Sequence, residues 1–220
     1  MKKKFSVLCL LLALVALLLP APGYCYREKP GDVIQDNCAN SGKKILITYD
    51  TEHGSTAKVA KEIFDDLCSD NFTVDLVFVE NLDPAKIADY DGIVIGSPIY
   101  NGPWLPGITK LLKRHHDQIA QVPKAAFFIT CTTVRDLATD DESAATYQEA
   151  LKYFMNPELD KYPDIKSKTV STKVLAGGFQ YSELYPFQRF MMHLFKFPQG
   201  DFRKSAIIDA WADDLADKFK

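Results

Sequence analysis

Apolar positions along this chain alternate between two spacings. The run Lys44-Ile45-Leu46-Ile47-Thr48 is short and β-branched and predicts a first strand. Beyond it, Val59, Ala60, Ile63, Phe64 and Leu67 recur at helical spacing, predicting a helix over about 55–68. A second strand is expected over 73–79, and Asp83-Pro84 reads as a cap with Pro at the first helical position. Gly92-Ile93-Val94-Ile95-Gly96 is almost continuously apolar, as a strand covered on both faces should be. Leu105, Ile108, Leu111, Leu112 and Ile119 mark the next helix, and 125–130 the fourth strand. Ala144, Tyr147, Leu151 and Phe154 mark a further helix, and 169–176 the fifth strand. Ile208, Trp211, Ala212, Leu215 and Phe219 form one stripe of a closing helix.

Strands and helices in strict alternation predict an α/β domain with a mostly parallel sheet covered on both faces. Ligands of such sheets bind beyond the carboxyl ends of the strands, near the switch in strand order. Three loops fall at that edge here: 50–55, 97–104 and 131–136.

The first part of the chain is of a different kind. Met1-Lys2-Lys3-Lys4 is basic, the next 15 residues from Phe5 to Leu19 are apolar, and Ala21-Pro22-Gly23 offers small residues for cleavage before Tyr24. This is the layout of a secretory signal peptide over 1–23, with retention as an N-terminal anchor as the alternative. As a helix the apolar run spans about 22 Å, short of the roughly 30 Å hydrocarbon core of a bilayer. The chain is therefore expected outside the cytoplasm, in a periplasm or facing outward at a membrane. Residues 24–42, with Pro30, Gly31, Asp32, Asn37 and Gly42, read as a linker arm before a domain over 43–220.

Loss of Lys2, Lys3 and Lys4 takes the formal charge from −3 to about −6, and no basic tract remains. That composition argues against nucleic acid as a partner. Cys25, Cys38, Cys68 and Cys131 stay in the mature chain at spacings that match no zinc or iron–sulfur signature. No metal site is expected. A Cys25–Cys38 bridge is compatible with export and would close a loop in the arm.

The chemistry is concentrated in the three loops. Thr51-Glu52-His53-Gly54-Ser55-Thr56 is a hydroxyl-rich turn opening onto a helix N-terminus, a common cradle for a phosphate. No lysine follows Gly54, as a nucleoside triphosphate loop would require, and no Gly-x-Gly-x-x-Gly is present. A monophosphate fits better; the alternative is that Ser55 and Thr56 only cap the helix. In Ser97-Pro98-Ile99-Tyr100-Asn101-Gly102-Pro103-Trp104, Tyr100 or Trp104 can stack on a planar ring and Asn101 can bond its edge. The alternative is a turn whose aromatics pack under the next helix. Thr130, Cys131, Thr132 and Thr133 offer amides and hydroxyls to a ring's polar edge. A nucleophilic Cys131 would need an activating neighbour, for which Arg135 is the nearest in sequence.

The stretch from Ile47 through Thr56, with Ala60 and Ile63 beyond it, resembles the signature of flavodoxins and flavodoxin-like domains, departing from it at Thr48. Gly96-Ser97-Pro98-Ile99-Tyr100-Asn101-Gly102 is similar to the second flavin loop of that family. The resemblance implies a three-layer sandwich around a five-stranded parallel sheet of order 2-1-3-4-5, with bound FMN. Thr51, Ser55 and Thr56 would hold its phosphate, and the second and third loops would flank the isoalloxazine. Val174-Leu175-Ala176-Gly177-Gly178-Phe179-Gln180-Tyr181 and Tyr185-Pro186-Phe187-Gln188-Arg189-Phe190-Met191-Met192 resemble the menaquinone-dependent protoporphyrinogen oxidase group. So does the span from Asp201 to Trp211, although Asp201-Phe202-Arg203-Lys204 departs from the threonine-containing version. That group implies electron transfer from an organic donor to a quinone.

Tyr185, Phe187, Phe190, Met191, Leu194, Phe195 and Phe197 form an aromatic insertion interrupted by Arg189, His193 and Lys196. Peripheral contact of 185–197 with a membrane or quinone competes with packing on the domain or on a second copy in a homodimer. The leading expectation is an FMN oxidoreductase serving a quinone or redox protein. A flavodoxin-like electron carrier and an exported domain that has lost FMN are the alternatives. No residue is marked as catalytic.

Overall fold

The computed structural model describes residues 33–99, 102–136, 141–183, 186–194 and 199–220. Residues 1–32, which hold the expected leader and Cys25, lie outside the described residues, as do Tyr100, Asn101 and Tyr185.

Strands β1 (Asp36–Cys38), β2 (Lys44–Tyr49), β3 (Thr73–Phe78), β4 (Gly92–Pro98), β5 (Lys124–Cys131) and β6 (Thr169–Ala176) form one sheet of order β1-β3-β2-β4-β5-β6. The sheet is thus six-stranded rather than five-stranded. Strands β2 to β6 are parallel, and within them the order is the expected 2-1-3-4-5. The extra strand, β1, pairs antiparallel with β3, setting Asp36 against Leu76 and Cys38 against Val74.

That strand corrects the reading of 24–42 as a linker arm. From Val33 onward the segment belongs to the domain: Val33 and Ile34 pack against the core, and Tyr49 Oη accepts from Ile34 N and donates to Ile34 O, each at 2.7 Å. The cysteine pairing is corrected too. Cys38 is bonded to Cys68, not to Cys25. Asn40 supports the junction by donating through Nδ2 to the carbonyls of Cys68 and Phe72, each at 2.9 Å.

Period-two alternation sorts the strands into two cores. Ile45, Ile47 and Tyr49 of β2 face α1 (Ser55–Ser69) and the C-terminal helix Ser205–Phe219. Leu46 faces the other side with Ile93 and Ile95, against α2 (Pro106–Gln121). The helix marked by Ala144 and Tyr147 starts as α3 (Ala145–Ala150), passes through a π turn at Leu151–Met155 and resumes as α4 (Asn156–Leu159). It packs on the α2 side with α5 (Pro163–Ser167). The insertion forms α6 (Pro186–Leu194), and Ser205–Phe219 is α7. Central strand β4 is buried along its whole length, as its unbroken apolar run requires.

On the first face, α1 and α7 bring acids together. Burial, then Asp209 and Asp213 of α7, then Asp65 and Glu62 of α1, push the Asp66 carboxyl up to about 6. One oxygen of Asp66 and one of Glu62 are buried without a hydrogen-bond partner among the described residues. A carboxyl raised in the folded state is most comfortable protonated. The penalty is therefore full above about pH 6 and disappears as pH falls through about 6 toward 3.8. Asp66→Asn is expected to stabilise the domain by about 1 kcal/mol at neutral pH, allowing for solvent screening at a part-exposed site. Near pH 4 the gain should vanish, and urea titrations at the two pH values read the difference.

Candidate functional site: a phosphate cradle at the carboxyl edge of the sheet

The first loop leaves the end of β2 and turns directly into α1. Asp50 N donates to Gly96 O at 3.0 Å, holding the start of the loop against β4. Thr51, fully buried, accepts the Gly54 amide on Oγ1 at 3.0 Å. Gly54 has φ 77°, in the left-handed region that a side chain strains, and its carbonyl accepts the first helical bond from Lys58 N.

Helix α1 begins after Gly54 with no side-chain cap and no acidic residue in its first turn. An α-helix leaves its first N–H groups without intrahelical acceptors, and its positive end favours an anion. The amides of Ser55, Thr56 and Ala57 are thus presented to the loop with no competing carboxylate in that turn. The capping alternative for Ser55 and Thr56 is not what the chain adopts. Ser55 Oγ accepts from Gly178 N at 2.8 Å, and Thr56 Oγ1 pairs with Thr130 Oγ1 at 2.9 Å. The two hydroxyls tie the cradle to the segment after β6 and to β5. Glu52 and His53 are half-buried neighbours in the same turn, with His53 Nε2 4.0 Å from Glu52 Oε2.

The second loop follows β4. Ser97 Oγ accepts from Leu105 N at 2.9 Å and donates to Pro98 O at 3.2 Å, and Ile99 N donates to Thr130 O. These bonds draw the second and third loops together. Among the described residues no atom lies within 4 Å of where a Cβ on Gly102 would stand. Trp104 departs from the ring-stacking expectation. It is 2% exposed, its ring lies 5.9 Å from Phe127, and its Nε1 donates to Phe154 O at 2.8 Å. The indole is part of the core beneath α2 and has no open face for a ring.

In the third loop Thr130 and Cys131 are buried, Thr132 is half-buried and Thr133 is exposed. Burial pushes the Cys131 thiol up, outweighing its bonds to Thr133 and Val134. A buried thiol kept protonated is a poor nucleophile. Arg135 Nε lies 3.3 Å from Asp136 Oδ2. Cys131 therefore belongs to the frame of the loop.

Three contributors were not marked as site residues in the sequence. Gly177 and Gly178 back the cradle, since a Cβ at Gly177 would meet Ser55 Oγ at 3.3 Å and the Gly178 amide holds Ser55. Asp50, 1% exposed, is the third.

The model of the flavodoxin domain family matches residues 46–205, which takes in all three loops, most of β2 and the other four parallel strands. The chain belongs to the flavodoxin domain family. Among proteins similar to this flavodoxin domain is protoporphyrinogen IX dehydrogenase [quinone] of Escherichia coli K12. It is 24% identical over 171 residues, which cover 76% of this chain and 88% of that protein. The protein of the same name from Leishmania major is 25% identical over 178 residues, covering 79% and 72%. Among solved structures, the two-electron reduced flavodoxin of Megasphaera elsdenii aligns at a TM-score of 0.46 and 15% identity, covering 59% of this chain and 84% of that one.

FMN is the cofactor of this flavodoxin domain. The chain's own residues fit it: a left-handed Gly54, an uncapped helix start and a first turn free of acids suit a phosphate monoester.

Proposed function

We propose that this flavodoxin domain is an FMN-dependent oxidoreductase that takes electrons from a small organic donor and passes them to a quinone or redox partner. The observation that carries the reading is the start of α1, uncapped behind Gly54 at the sheet edge where three loops meet. The amides of Ser55, Thr56 and Ala57 hold the phosphate, with Thr51 shaping the turn and His53 beside it. Ser97, Pro98, Ile99 and Gly102 line one side of the ring site, and Thr130, Cys131, Thr132 and Thr133 the other.

FMN, when bound, supplies the capacity to accept two electrons and pass them on. The donor loses two electrons and two protons, and a quinone gains the same to become a quinol. The similarity to the protoporphyrinogen IX dehydrogenases [quinone] of Escherichia coli and Leishmania major supports a quinone as acceptor.

Export is part of the same proposal. The Lys2–Lys4 charge, the apolar run and the small residues before Tyr24 support it, as does the Cys38–Cys68 bond, because disulfides persist in oxidising compartments. A quinone acceptor would place the domain against a bilayer. On α6, Phe190 and Leu194 are 62% and 60% exposed, with Arg189 and His193 exposed beside them. That face suits peripheral contact with lipid. No helix among the described residues is long and apolar enough to cross a membrane.

The experiment is anaerobic stopped flow of the reduced flavoprotein against menadione. Reoxidation first order in quinone is expected. Reoxidation only by a one-electron protein acceptor such as cytochrome c would make the domain a carrier instead. Within the cradle, Gly54→Val puts a β-branched side chain at φ 77°. It is expected to weaken FMN binding about tenfold or more while costing about 1–3 kcal/mol of stability, read by fluorescence titration and urea unfolding.

A further inference from the structure

Helix α2 starts at Pro106 without a side-chain cap from its own N-cap residue, Leu105. Two residues from other loops supply acceptors. Ser97 Oγ at the end of β4 takes the Leu105 amide, and Asp50 Oδ2 at the end of β2 takes the Gly107 amide, both at 2.9 Å. The second contact is possible only with glycine at 107. A Cβ there would stand 2.3 Å from Asp50 Oδ2 and 2.7 Å from Val79 Cγ1.

The other carboxylate oxygen of Asp50 points back into the cradle. Oδ1 accepts from Thr51 N at 2.8 Å, and Thr51 Oγ1 accepts from Gly54 N. A continuous series of bonds therefore runs from the first turn of α2, through Asp50 and Thr51, to the left-handed glycine that opens α1. A charged group almost without solvent is expensive unless several donors face it. Asp50 has two amides, one of them in the first turn of α2, where the positive end of the helix favours an anion.

We propose that Asp50 is a positioning residue for the cofactor phosphate, clamping the phosphate loop to α2 through Gly107. The inference rests on the reading that residues 51–57 hold the phosphate of FMN. In it, α2 sets the shape of a loop to which it contributes no phosphate contact. The clamp should therefore govern the affinity gained from the phosphate and not the affinity for the ring.

The test compares FMN with riboflavin, which lacks the phosphate, on the wild type, Asp50→Asn, Gly107→Ala and the double variant. Asp50→Asn turns an amide nitrogen toward one of the two N–H groups and leaves a donor unpaired. Gly107→Ala keeps the carboxylate and pushes the helix off it, so each variant serves if the other fails to fold. Each single variant is expected to raise the FMN Kd about tenfold or more, with riboflavin within about twofold. The double variant should be no worse than the weaker single, because both break one contact. Equal losses for FMN and riboflavin, or no change in either, would overturn the clamp. A wild type that takes up no FMN would overturn the functional reading. In that event ¹⁵N shifts of Ser55, Thr56 and Ala57 on adding inorganic phosphate decide the clamp. It stands if wild-type shifts shrink in Asp50→Asn, and falls if the two proteins respond alike or neither responds.

Discussion

Replacing both Cys38 and Cys68 by serine should lower the stability of the domain by about 3–4 kcal/mol, one of the two largest single losses expected. The bond joins residues 30 apart in sequence, and closing a loop of that length restricts the unfolded chain by about this amount in the chain-entropy model. Its native contacts add to the effect. It ties β1, an edge strand of three residues, to the end of α1, where Asn40 bridges the Cys68 and Phe72 carbonyls. Without the bond, β1 keeps its short pairing with β3 and the Tyr49–Ile34 contacts. The reduced chain should therefore stay folded under mild conditions and lose its N-terminal strand first. Urea unfolding with and without dithiothreitol measures the difference. Equal midpoints would show that the bond contributes nothing to the folded state. Hydrogen exchange should show Asn37 and Cys38 losing protection ahead of β2.

Phe128→Ala is the second large effect, at about 3–5 kcal/mol. Phe128 is fully buried on β5 and stands directly opposite Gly96 of β4. Its ring occupies the space a side chain at 96 would need, within 2.1–2.7 Å of an added Cβ. On its other side it meets Trp211 of α7 edge-on at 5.9 Å. Truncation would empty the space above Gly96 and undercut the packing of α7. Gly96→Ala alone should also destabilise, by overpacking. Combined with Phe128→Leu, part of that loss should return, because the two positions share one volume. Thermal unfolding of the four proteins gives the coupling. Simple additivity would contradict this packing. Because Gly96 O also accepts from Asp50 N, Phe128→Ala is expected to loosen the cradle as well.

Most of the sheet was legible because its strands are apolar enough to declare themselves. The run 169–176 matches β6 at both ends, and 92–96 extends only to Pro98. The strand that went unseen, Asp36-Asn37-Cys38, has no apolar periodicity: it is an edge strand, mostly exposed, held by pairing and by a disulfide. Cysteine pairing was equally hidden, since nothing in the spacing distinguishes Cys68, on a helix, as the partner of Cys38. Trp104 stayed open between a ring platform and packing under the next helix, and takes the second. An aromatic beside Gly and Pro in a loop reads as a ring platform, whereas its burial depends on Phe127 and Phe154, which lie far along the chain. The turn from β2 into α1 was legible as a motif, whereas the left-handed conformation of Gly54 is seen only in the fold. Asp50 was legible only as a turn residue, because its partner Gly107 lies 57 residues away and the pairing exists only in the fold.

Whether the start of α1 behind Gly54 holds FMN is decided by titrating the flavin-free, disulfide-intact domain with FMN. Uptake of one FMN per chain at micromolar concentration is expected, with a change in flavin fluorescence that Gly54→Val weakens. No uptake at micromolar FMN, or uptake unaffected by Gly54→Val, would contradict it.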